Sequence, residues 1–298
     1  MNKKAIVLTM VTVSGLFLQA CSNATNENAN KQEQVATSQE AKKMSNIDKA
    51  ISVIKSFETG DKTAITEYVN EKNYIQHNLS VPDGRDVVLN SIGQLADAGT
   101  KVEVVRSFED ENFVVLHSKY QIAGGAEQAG FDIFRFDDGK IVEHWDNLQN
   151  LGEKNPSGHT LLDGDTKVQD TDKTDENKTL VRNFVTDILV NKDLDKASNY
   201  FDGDDYIQHN PQTGDGVKTT IEGFKALKDS GFDMNYSEIK MVLGQGNFVL
   251  VASQGTLMGE DAAYYDLFRV ENGKIKEHWD IVTAIPKKDT WANQNGKF

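Results

Sequence analysis

Apolar side chains recur every three to four residues at the start of two separate segments, which is the spacing of an amphipathic helix. These positions are Ile47, Ile51, Ile54 and Phe57 in the first segment, and Leu180, Phe184, Ile188 and Leu189 in the second. A polar break follows each helix, and a short second helix then runs to Val69 or to Phe201. A third helix is predicted over 85–97 and again over 217–229.

Runs rich in β-branched and aromatic residues fill the remainder of each segment. In the first segment they cover 101–108, 112–122, 130–137 and 140–149. Matching runs follow in the second segment, and Asp138-Gly139 and Asn272-Gly273 are typical of tight hairpin turns. Helices first and consecutive strands afterwards favour an α+β fold, in which the helices pack on one face of an antiparallel sheet.

The two segments are copies of one unit. The string YIQHN at 74–78 recurs at 206–210, and FDIFRFDDGKIVEHWD at 131–146 matches YDLFRVENGKIKEHWD at 265–280. The spacing between matching positions stays within 132 to 135 residues, which is too long for a solenoid repeat. The pattern predicts a tandem duplication of a domain of roughly 110 residues.

The patterns divide the chain into six parts. They are an export signal over 1–20, a flexible tether over 21–45, a first domain over 46–149, a linker over 150–176, a second domain over 177–286 and a C-terminal tail over 287–298. The stretch NPSG at 155–158 in the linker is echoed by NQNG at 293–296 in the tail. Each domain is therefore expected to carry its own tail, laid over a pocket mouth.

The first twenty residues have the order of an export signal. Lys3 and Lys4 precede a short apolar stretch, and LQAC at 18–21 resembles the lipobox of bacterial lipoproteins. The resemblance implies cleavage before Cys21 and a diacylglycerol on its sulfur, which would anchor the protein at the extracytoplasmic face of the cell membrane. The alternative is an ordinary signal peptide with an incidental cysteine. The polar residues that follow, up to residue 45, are predicted to form the tether.

Composition narrows the functional classes. The formal net charge of −14 repels phosphate backbones, so nucleic-acid binding is not expected. A single cysteine excludes an intramolecular disulfide. The sequence has no GxSxG motif, no phosphate-binding glycine loop and no dinucleotide fingerprint, and no cofactor is expected.

The last two strands of each copy carry an imidazole and two carboxylates. Side-chain alternation places His278 and Asp280 on one face of the final strand, with Glu277 and Trp279 on the other. Together with Asp266 from the preceding strand, they predict a carboxylate–imidazole–carboxylate cluster. The first copy repeats the pattern with Asp132, His144 and Asp146.

The turn decides what lies opposite His278. A two-residue Asn-Gly loop would set Arg269 opposite Lys276, which is repulsive. A three-residue loop with Gly273 in the left-handed conformation sets Asp266 opposite His278 and pairs opposite charges on both faces. We therefore expect the longer loop.

A second polar segment supplies an amide beside an imidazole. Gln208 with His209, and Gln76 with His77 in the first copy, are expected to converge on the same cavity as the cluster. An amide and an imidazole suit hydrogen bonding to a carbonyl or enolate oxygen, and an imidazole–carboxylate pair can act as general base or acid. The same pair can equally be a structural hydrogen bond across the hairpin.

Metal binding is a further alternative for these side chains, because imidazole with carboxylate suits zinc or iron. The candidate ligands are His209, His278, Asp266 and Asp280. No HxxxH or HxH spacing supports such a site, so no metal is expected.

The blocks YIQHNP at 206–211 and YDLFRVENGKIKEHWD at 265–280 resemble SnoaL-like proteins, the polyketide-cyclase-related branch of the nuclear-transport-factor-2-like superfamily. The likeness covers nearly all of 46–298. It implies two tandem cone-shaped domains, each with three helices packed on a curved antiparallel sheet that encloses a pocket. Such domains pair through the convex sheet face, so the two copies are expected to form an intramolecular pseudo-dimer.

The resemblance also implies a type of chemistry. Relatives include polyketide cyclases, ketosteroid isomerases and dehydratases, which implies proton abstraction next to a carbonyl. Asp132 and Asp266 match a strand that carries a pocket aspartate in ketosteroid isomerases. The Asp-Pro base of those isomerases is replaced here by Asn210-Pro211, and by Asn78-Leu79 in the first copy. Thr283 and, in the first copy, Gln149 stand where the cyclases carry an aspartate. The base is therefore expected to be His209, His278 or an aspartate of the cluster.

The leading hypothesis is a lipid-anchored surface protein whose pockets take a small carbonyl-containing or apolar ligand and catalyse aldol-type condensation or isomerisation. His278, oriented by Asp266, would move protons, while Gln208 and His209 polarise the oxygen. The catalytic candidates are His278, Asp266, Asp280, His209 and Gln208. The substrate-binding candidates are Tyr206, Asn210, Tyr74, Gln76, His77, Asp132, His144 and Asp146. The alternatives are a non-catalytic ligand-binding lipoprotein and a purely structural pair of domains.

Overall fold

The computed structural model describes residues 44–298. The predicted export signal, the predicted lipidation site at Cys21 and the predicted tether up to residue 43 lie outside the described residues. Over residues 44–298, no helix combines the length and the apolar character needed to cross a membrane.

The first domain has its helices first and its strands afterwards. Its elements are α1 (Asn46–Thr59), α2 (Thr63–Tyr68), β1 (Ile75–Gln76), α3 (Arg85–Asp97), β2 (Lys101–Asp110), β3 (Phe113–Gln121), β4 (Glu127–Asp137) and β5 (Lys140–Asn150). The strands form one sheet in the order β1-β5-β4-β3-β2. The predicted α+β class is confirmed. The sheet is mixed rather than purely antiparallel, because β1 pairs parallel with β5.

The second domain repeats this plan, which confirms the tandem duplication. Its elements are α4 (Thr174–Phe184) continued by a π-helical turn (Val185–Val190), a 3-10 segment (Leu194–Asn199), β6 (Ile207–Gln208), α5 (Val217–Asp229), β7 (Met234–Gln245), β8 (Phe248–Leu257), β9 (Glu260–Glu271) and β10 (Lys274–Ala284). The sheet order is β6-β10-β9-β8-β7, and β6 pairs parallel with β10.

Local chemistry explains the bounds of the first helix. The hydroxyl oxygen of Ser45 accepts a hydrogen bond from the backbone N–H of Asp48, so Ser45 caps the start of α1 rather than ending a tether. Gly60 follows the helix with φ 73°, the left-handed conformation that ends many helices. The apolar stripe of α1 then packs on the sheet through Val53 and Ile54, which are buried with Phe134 of β4.

The opposite faces of the two sheets share one apolar cluster. It includes Phe131 and Trp145 from the first domain and Tyr265 and Trp279 from the second, all buried. The amide nitrogen of Asn147 also donates to the backbone oxygen of Ile281 over 2.8 Å. Because successive side chains alternate between faces, the neighbours of the site residues along each strand form this contact.

The linker and the C-terminal tail cross between the domains. Asn155, which follows the first domain, donates to the backbone oxygen of Gln208 in the second domain over 2.5 Å. Asn293, which follows the second domain, donates to the backbone oxygen of Asn78 in the first over 2.8 Å. The expectation that each domain carries its own tail is therefore wrong. The QHN loops are residues 76–78 and 208–210. Each is held by the segment that follows the other domain, and Asn155 and Asn293 make equivalent contacts in the two domains.

The last hairpin of the second domain departs from the predicted loop. Asn272 and Gly273 form a two-residue turn with φ 51° and 72°, not a three-residue loop. A bulge at Lys276 then shifts the pairing of the two strands. Arg269 thereby faces Glu277, and their side chains form an ion pair at 2.6 Å. The bulge removes the repulsion that argued against the short loop.

The same bulge changes the partners of the cluster residues. Asp266 faces Asp280 and His278 faces Phe268, so the predicted placement of Asp266 opposite His278 is wrong. Asp266 and His278 remain on one face as diagonal neighbours, close enough for these side chains to touch. The first domain has the same register, with Asp132 opposite Asp146.

Candidate functional site

A cavity of about 380 Å³ lies between the helices and the sheet of the second domain. Its wall is mostly apolar and includes Phe184, Phe201, Phe224 and Phe268. A polar group also lines it, consisting of Gln208, Asn210, Asp266, His278 and Asp280. Ligand pockets in proteins usually enclose roughly 300–1,000 Å³, so this space suits a small molecule.

His278 is held at both ring nitrogens. Its Nδ1 lies 2.9 Å from Oε1 of Gln208, and its Nε2 lies 3.0 Å from Oδ1 of Asp266. The amide oxygen of Gln208 is identified by the backbone N–H groups of His209 and Asn210, which both donate to it. Nδ1 of His278 must therefore carry a hydrogen and donate to Gln208. The remaining contact holds a proton between Nε2 and Asp266.

Asp266 is fully buried, and only one of its two carboxylate oxygens has hydrogen-bond partners among the described residues. Its Oδ1 accepts the hydroxyl of Tyr236 over 3.1 Å in addition to the contact with His278. Its Oδ2 is buried and has no hydrogen-bond partner among the described residues. An unpaired buried carboxylate oxygen is costly for a folded protein. Asp266 lines the cavity, and Oδ2 is its one oxygen that no described protein group occupies.

Asp280 lies on the same wall, where the side-chain amide of Asn210 donates to its two oxygens over 3.0 and 2.7 Å. Burial raises the pKa of Asp280, and the charge of Asp266 adds to the rise, while His278 and Asn210 partly oppose it. Folding therefore favours the protonated form of this carboxyl, which can donate a hydrogen bond.

Tyr206 is a second neutral donor. Burial raises the pKa of this phenol well above its usual value, and the charges of Asp280 and Asp266 raise it further. The hydroxyl therefore keeps its proton. Tyr206 lines the cavity together with the cluster.

The first domain repeats the arrangement in a smaller cavity of about 190 Å³. Nε2 of His144 lies 3.0 Å from Asp132, and Nδ1 lies 3.1 Å from Gln76. Asn78 donates to Asp146 over 2.6 Å. The sequence-predicted residues on this wall are Tyr74, Gln76, Asp132, His144 and Asp146.

His209 lies outside the cavity, which contradicts the expected convergence of Gln208 and His209. The two residues are neighbours at the end of β6, so their side chains point to opposite faces of the sheet. His209 is fully buried, stacks on Trp279 with the ring centroids 4.6 Å apart, and lies 2.9 Å from Glu277. It therefore cannot polarise a ligand beside His278.

His77 occupies the equivalent place in the first domain, so its expected convergence with Gln76 is also wrong. Its ring stacks on Trp145 at 4.7 Å, and Nε2 lies 2.9 Å from Glu143. Nδ1 lies 2.9 Å from the backbone oxygen of Gly296, in the C-terminal tail. Both histidines hold the crossing segments instead of lining a pocket.

The linker attaches to the second domain through a set of imidazoles and carboxylates. Nδ1 of His209 lies 3.0 Å from Asp163, and His159 lies 3.3 Å from Asp163 and 3.2 Å from Asp215. Burial alone would lower the pKa of His159, but its hydrogen bonds to Asp163 and Asp215 outweigh burial and raise it. The attachment is therefore sensitive to pH.

The predicted metal ligands do not assemble as one set, because His209 lies on the other face of the sheet. Asp266, His278 and Asp280 can each offer an atom within 4.8 Å of the others, and so can His159, Asp163 and His209. The ring nitrogens of His278 and His209 already hydrogen-bond to protein partners.

Sequence reasoning gave Tyr236 no role, and it named Gln149 only as the first-domain residue aligned with the cyclase aspartate. Tyr236 holds Asp266, and Gln149 reaches the cavity wall from β5 of the first domain, where it accepts the backbone N–H of Val282 over 3.1 Å. Comparison of the two copies does not reveal Tyr236, because the tyrosine that donates to the aspartate in the first domain comes from another strand. No local pattern signals Gln149, since its position depends on how the two sheets pack.

A family model described as a SnoaL-like domain matches residues 52–144 and again 181–278. The two matches together cover more than half of the chain. No curated protein matches the chain.

Solved structures similar to parts of the chain include the following three. An NTF2-like protein of unknown function from Cytophaga hutchinsonii has 17% identity, covering 37% of this chain and 94% of its own, with a TM-score of 0.32. A putative polyketide cyclase from Bacillus cereus has 19% identity, covering 35% and 74%, with a TM-score of 0.31. An LEH-like epoxide hydrolase from M. tuberculosis has 20% identity, covering 37% and 85%, with a TM-score of 0.32.

Proposed function

Because the chain belongs to the SnoaL-like family, we propose that its second domain binds a small carbonyl-containing molecule and moves a proton next to the carbonyl. Aldol-type condensation and isomerisation both begin with this step. The observation that carries the proposal is the buried Oδ2 of Asp266, which has no partner among the described residues and belongs to a side chain on the cavity wall.

Asp266 is the base in this scheme. The C–H bond beside the carbonyl breaks, its proton passes to Oδ2 of Asp266, and the electron pair moves onto the carbonyl oxygen. His278 acts through Asp266 as a positioning residue, since both of its ring nitrogens are occupied by Gln208 and Asp266. This assignment replaces the expectation that His278 itself contacts the substrate.

The developing enolate oxygen needs donors that are neutral and already in place. The hydroxyl of Tyr206 meets this need, because burial raises its pKa well above the usual value and keeps its proton in place. Burial also raises the pKa of Asp280, which shifts this carboxyl toward the form that donates a hydrogen bond.

Exchange of α-protons tests the scheme without knowledge of the natural substrate. The full chain is incubated in D₂O with a panel of ketones and β-keto esters, and deuterium uptake is followed by NMR. Asp266→Asn is expected to abolish catalysed exchange, whereas Asp132→Asn in the smaller first cavity retains most of it. Full exchange by Asp266→Asn, or no ketone exchanged above the buffer rate, contradicts the proposal.

Non-catalytic ligand binding is the second candidate. It is favoured by the cluster itself, in which His278, Gln208, Asp280 and Asn210 already satisfy one another. Binding of ketones without exchange would support this function and exclude the first.

We also propose that Cys21 carries lipid and anchors the protein on the extracytoplasmic face of the membrane. The proposal rests on the LQAC string at 18–21 and on Cys21 being the only cysteine. Cys21→Ser is expected to move the protein from the membrane fraction to the soluble fraction and to abolish labelling by a palmitate analogue. Unchanged fractionation and labelling would contradict it.

The two domains are further proposed to act as an intramolecular pseudo-dimer. The shared cluster around Trp145 and Trp279 and the reciprocal contacts of Asn155 and Asn293 support this pairing. Gln149 of the first domain reaches the second cavity, so the second domain is expected to depend on the first for a complete site.

A further inference from the structure

A second chamber of about 340 Å³ adjoins the cavity of the second domain. The two spaces share most of their apolar boundary, including Leu189, Phe224, Phe232 and Tyr236, so they lie side by side against the same side chains. Their polar residues differ. The inner cavity has the carboxyl cluster, whereas the outer chamber is lined by lysines, namely Lys192, Lys225 and Lys228.

The first domain has small residues at the matching positions. Helices α3 and α5 match with a spacing of 132 residues, which pairs Lys225 with Gly93 and Lys228 with Ala96. Lys192 matches Gly60 at the same spacing, and both lie in the left-handed region, with φ 57° and 73°.

Gly60, Gly93 and Ala96 pack together in the first domain and leave no chamber at this point. A Cβ atom placed on Gly60 would lie 3.3 Å from Cβ of Ala96 and 3.8 Å from Cα of Gly93. The end of α1 therefore sits directly against α3, with no room for longer side chains. In the second domain all three contacting positions carry lysine, and a chamber lies there instead.

One of the three lysines occupies an unfavourable backbone position. Lys192 has a left-handed backbone, which disfavours a residue with a Cβ atom and suits the glycine of the other copy. The exposed side chains of Lys225 and Lys228 form no hydrogen bond or ion pair with any described residue, whereas the ammonium group of Lys192 donates to Asn235. Three cations thus surround one opening of a chain whose net charge is −14, with Asp233 as the one acidic residue in the described lining. Charges placed in this way suit an external anion.

We propose that these two adjoining spaces together bind an anionic amphiphile, with its carboxylate or phosphate among the three lysines and its apolar chain in the inner cavity. The direction follows from charge, since the lysines line only the outer chamber. The inference rests on the proposed function and specifies its substrate class: a chain with an anionic head, whose carbonyl lies beside Asp266.

Calorimetric titration of the full chain with ten-carbon probes below their micelle concentrations tests the charge assignment. The probes are decanoate, decyl phosphate, decanol and decyltrimethylammonium. The two anions are expected to bind more tightly than decanol, and decanol more tightly than the cation. Comparison of the two anions shows which head group the lysines prefer.

Lysine variants identify the source of this preference. Lys225→Ala with Lys228→Ala is expected to weaken decanoate binding about threefold to tenfold, as the loss of two exposed charge contacts would, and to leave decanol binding unchanged. Retained decanol binding shows that the variant is folded. Lys62→Ala with Lys218→Ala removes the same charge away from the chamber and is the matched control. Lys225→Arg with Lys228→Arg should keep the preference.

The outcomes separate this inference from the function on which it rests. Equal binding of decanoate and decanol overturns the anionic head and leaves a ligand-binding cavity in place. An equal loss in the control variant also overturns it, since the effect then comes from net charge alone. Failure of all four probes to bind overturns both the inference and the cavity as an amphiphile site.

Discussion

The hydroxyl of Tyr236 donates to Asp266 over 3.1 Å from edge strand β7, although the corresponding bond in the first domain comes from a different strand. There, Tyr120 of β3 donates to Asp132 over 2.5 Å. The position across from Tyr120 is Val102, and the position across from Tyr236 is Gly255. The tyrosine therefore lies on the inner strand of this pair in the first domain and on the edge strand in the second. Its hydrogen bond to the aspartate is the same in both domains.

Gly255 allows this exchange. A Cβ atom there would lie 1.8 Å from the backbone oxygen of Asn235, so only glycine fits beside β7. The persistence of a tyrosine–aspartate bond with different supporting residues indicates that the bond matters to the site.

Loss of the Tyr236 hydroxyl leaves Asp266 with less support in a buried place. Tyr236→Phe is expected to lower the free energy of unfolding by about 1–3 kcal/mol, measured by urea denaturation. Tyr265→Phe is the matched control, because its buried hydroxyl has no partner among the described residues. Its removal should be neutral or stabilising. Equal losses in both variants would show that the Tyr236 bond adds nothing specific.

Removal of residues 293–298 is expected to loosen the first domain, not the second, because the tail is bonded to the first QHN loop. Hydrogen exchange should rise at 75–79 more than at 207–211. Asn155→Ala should show the reverse, since Asn155 holds the second loop. Faster exchange at 207–211 after tail removal would contradict the crossed arrangement.

The His159 attachment should weaken at alkaline pH. Its pKa is raised in the folded state, so its ion pairs with Asp163 and Asp215 contribute stability below the unfolded pKa of about 6.5. The contribution is lost as the pH rises through the folded pKa. His159→Gln is therefore expected to lose less stability than the wild type between about pH 6 and pH 8.5 in urea denaturation. Parallel pH profiles for the two proteins would exclude this role.

Ionisation of Asp280 should destabilise the folded protein, because burial raises the pKa of this carboxyl. A raised carboxyl pKa contributes stability that is present below the unfolded value and lost as the pH rises through the folded value. Asp280→Asn is thus expected to be more stable than the wild type at pH 7, by on the order of 1 kcal/mol, and to lose this advantage below about pH 4. Exposed Asp289→Asn is the control. A variant less stable at every pH would refute the assignment.

Several features of the site followed from local patterns. Alternation along a strand is strict, so His278 and Asp280 share a face and Glu277 lies on the other, whatever the turn does. The same rule separates Gln208 from His209, and the sequence hypothesis failed where it placed both in one cavity. The predicted pairing register of the last hairpin was wrong for a different reason. A bulge at Lys276 costs little in local sequence preference but moves every later pair.

The sequence by itself determined the duplication, the α+β order of elements and the residues that alternate onto each face, because periodicity and backbone stereochemistry act over a few neighbouring residues. Only the tertiary structure decided that Tyr236 replaces Tyr120, that Gln149 enters the other domain's cavity and that three lysines meet around one chamber. These contacts join residues far apart in the chain, and their distances depend on how helices and sheets pack, which no local pattern encodes.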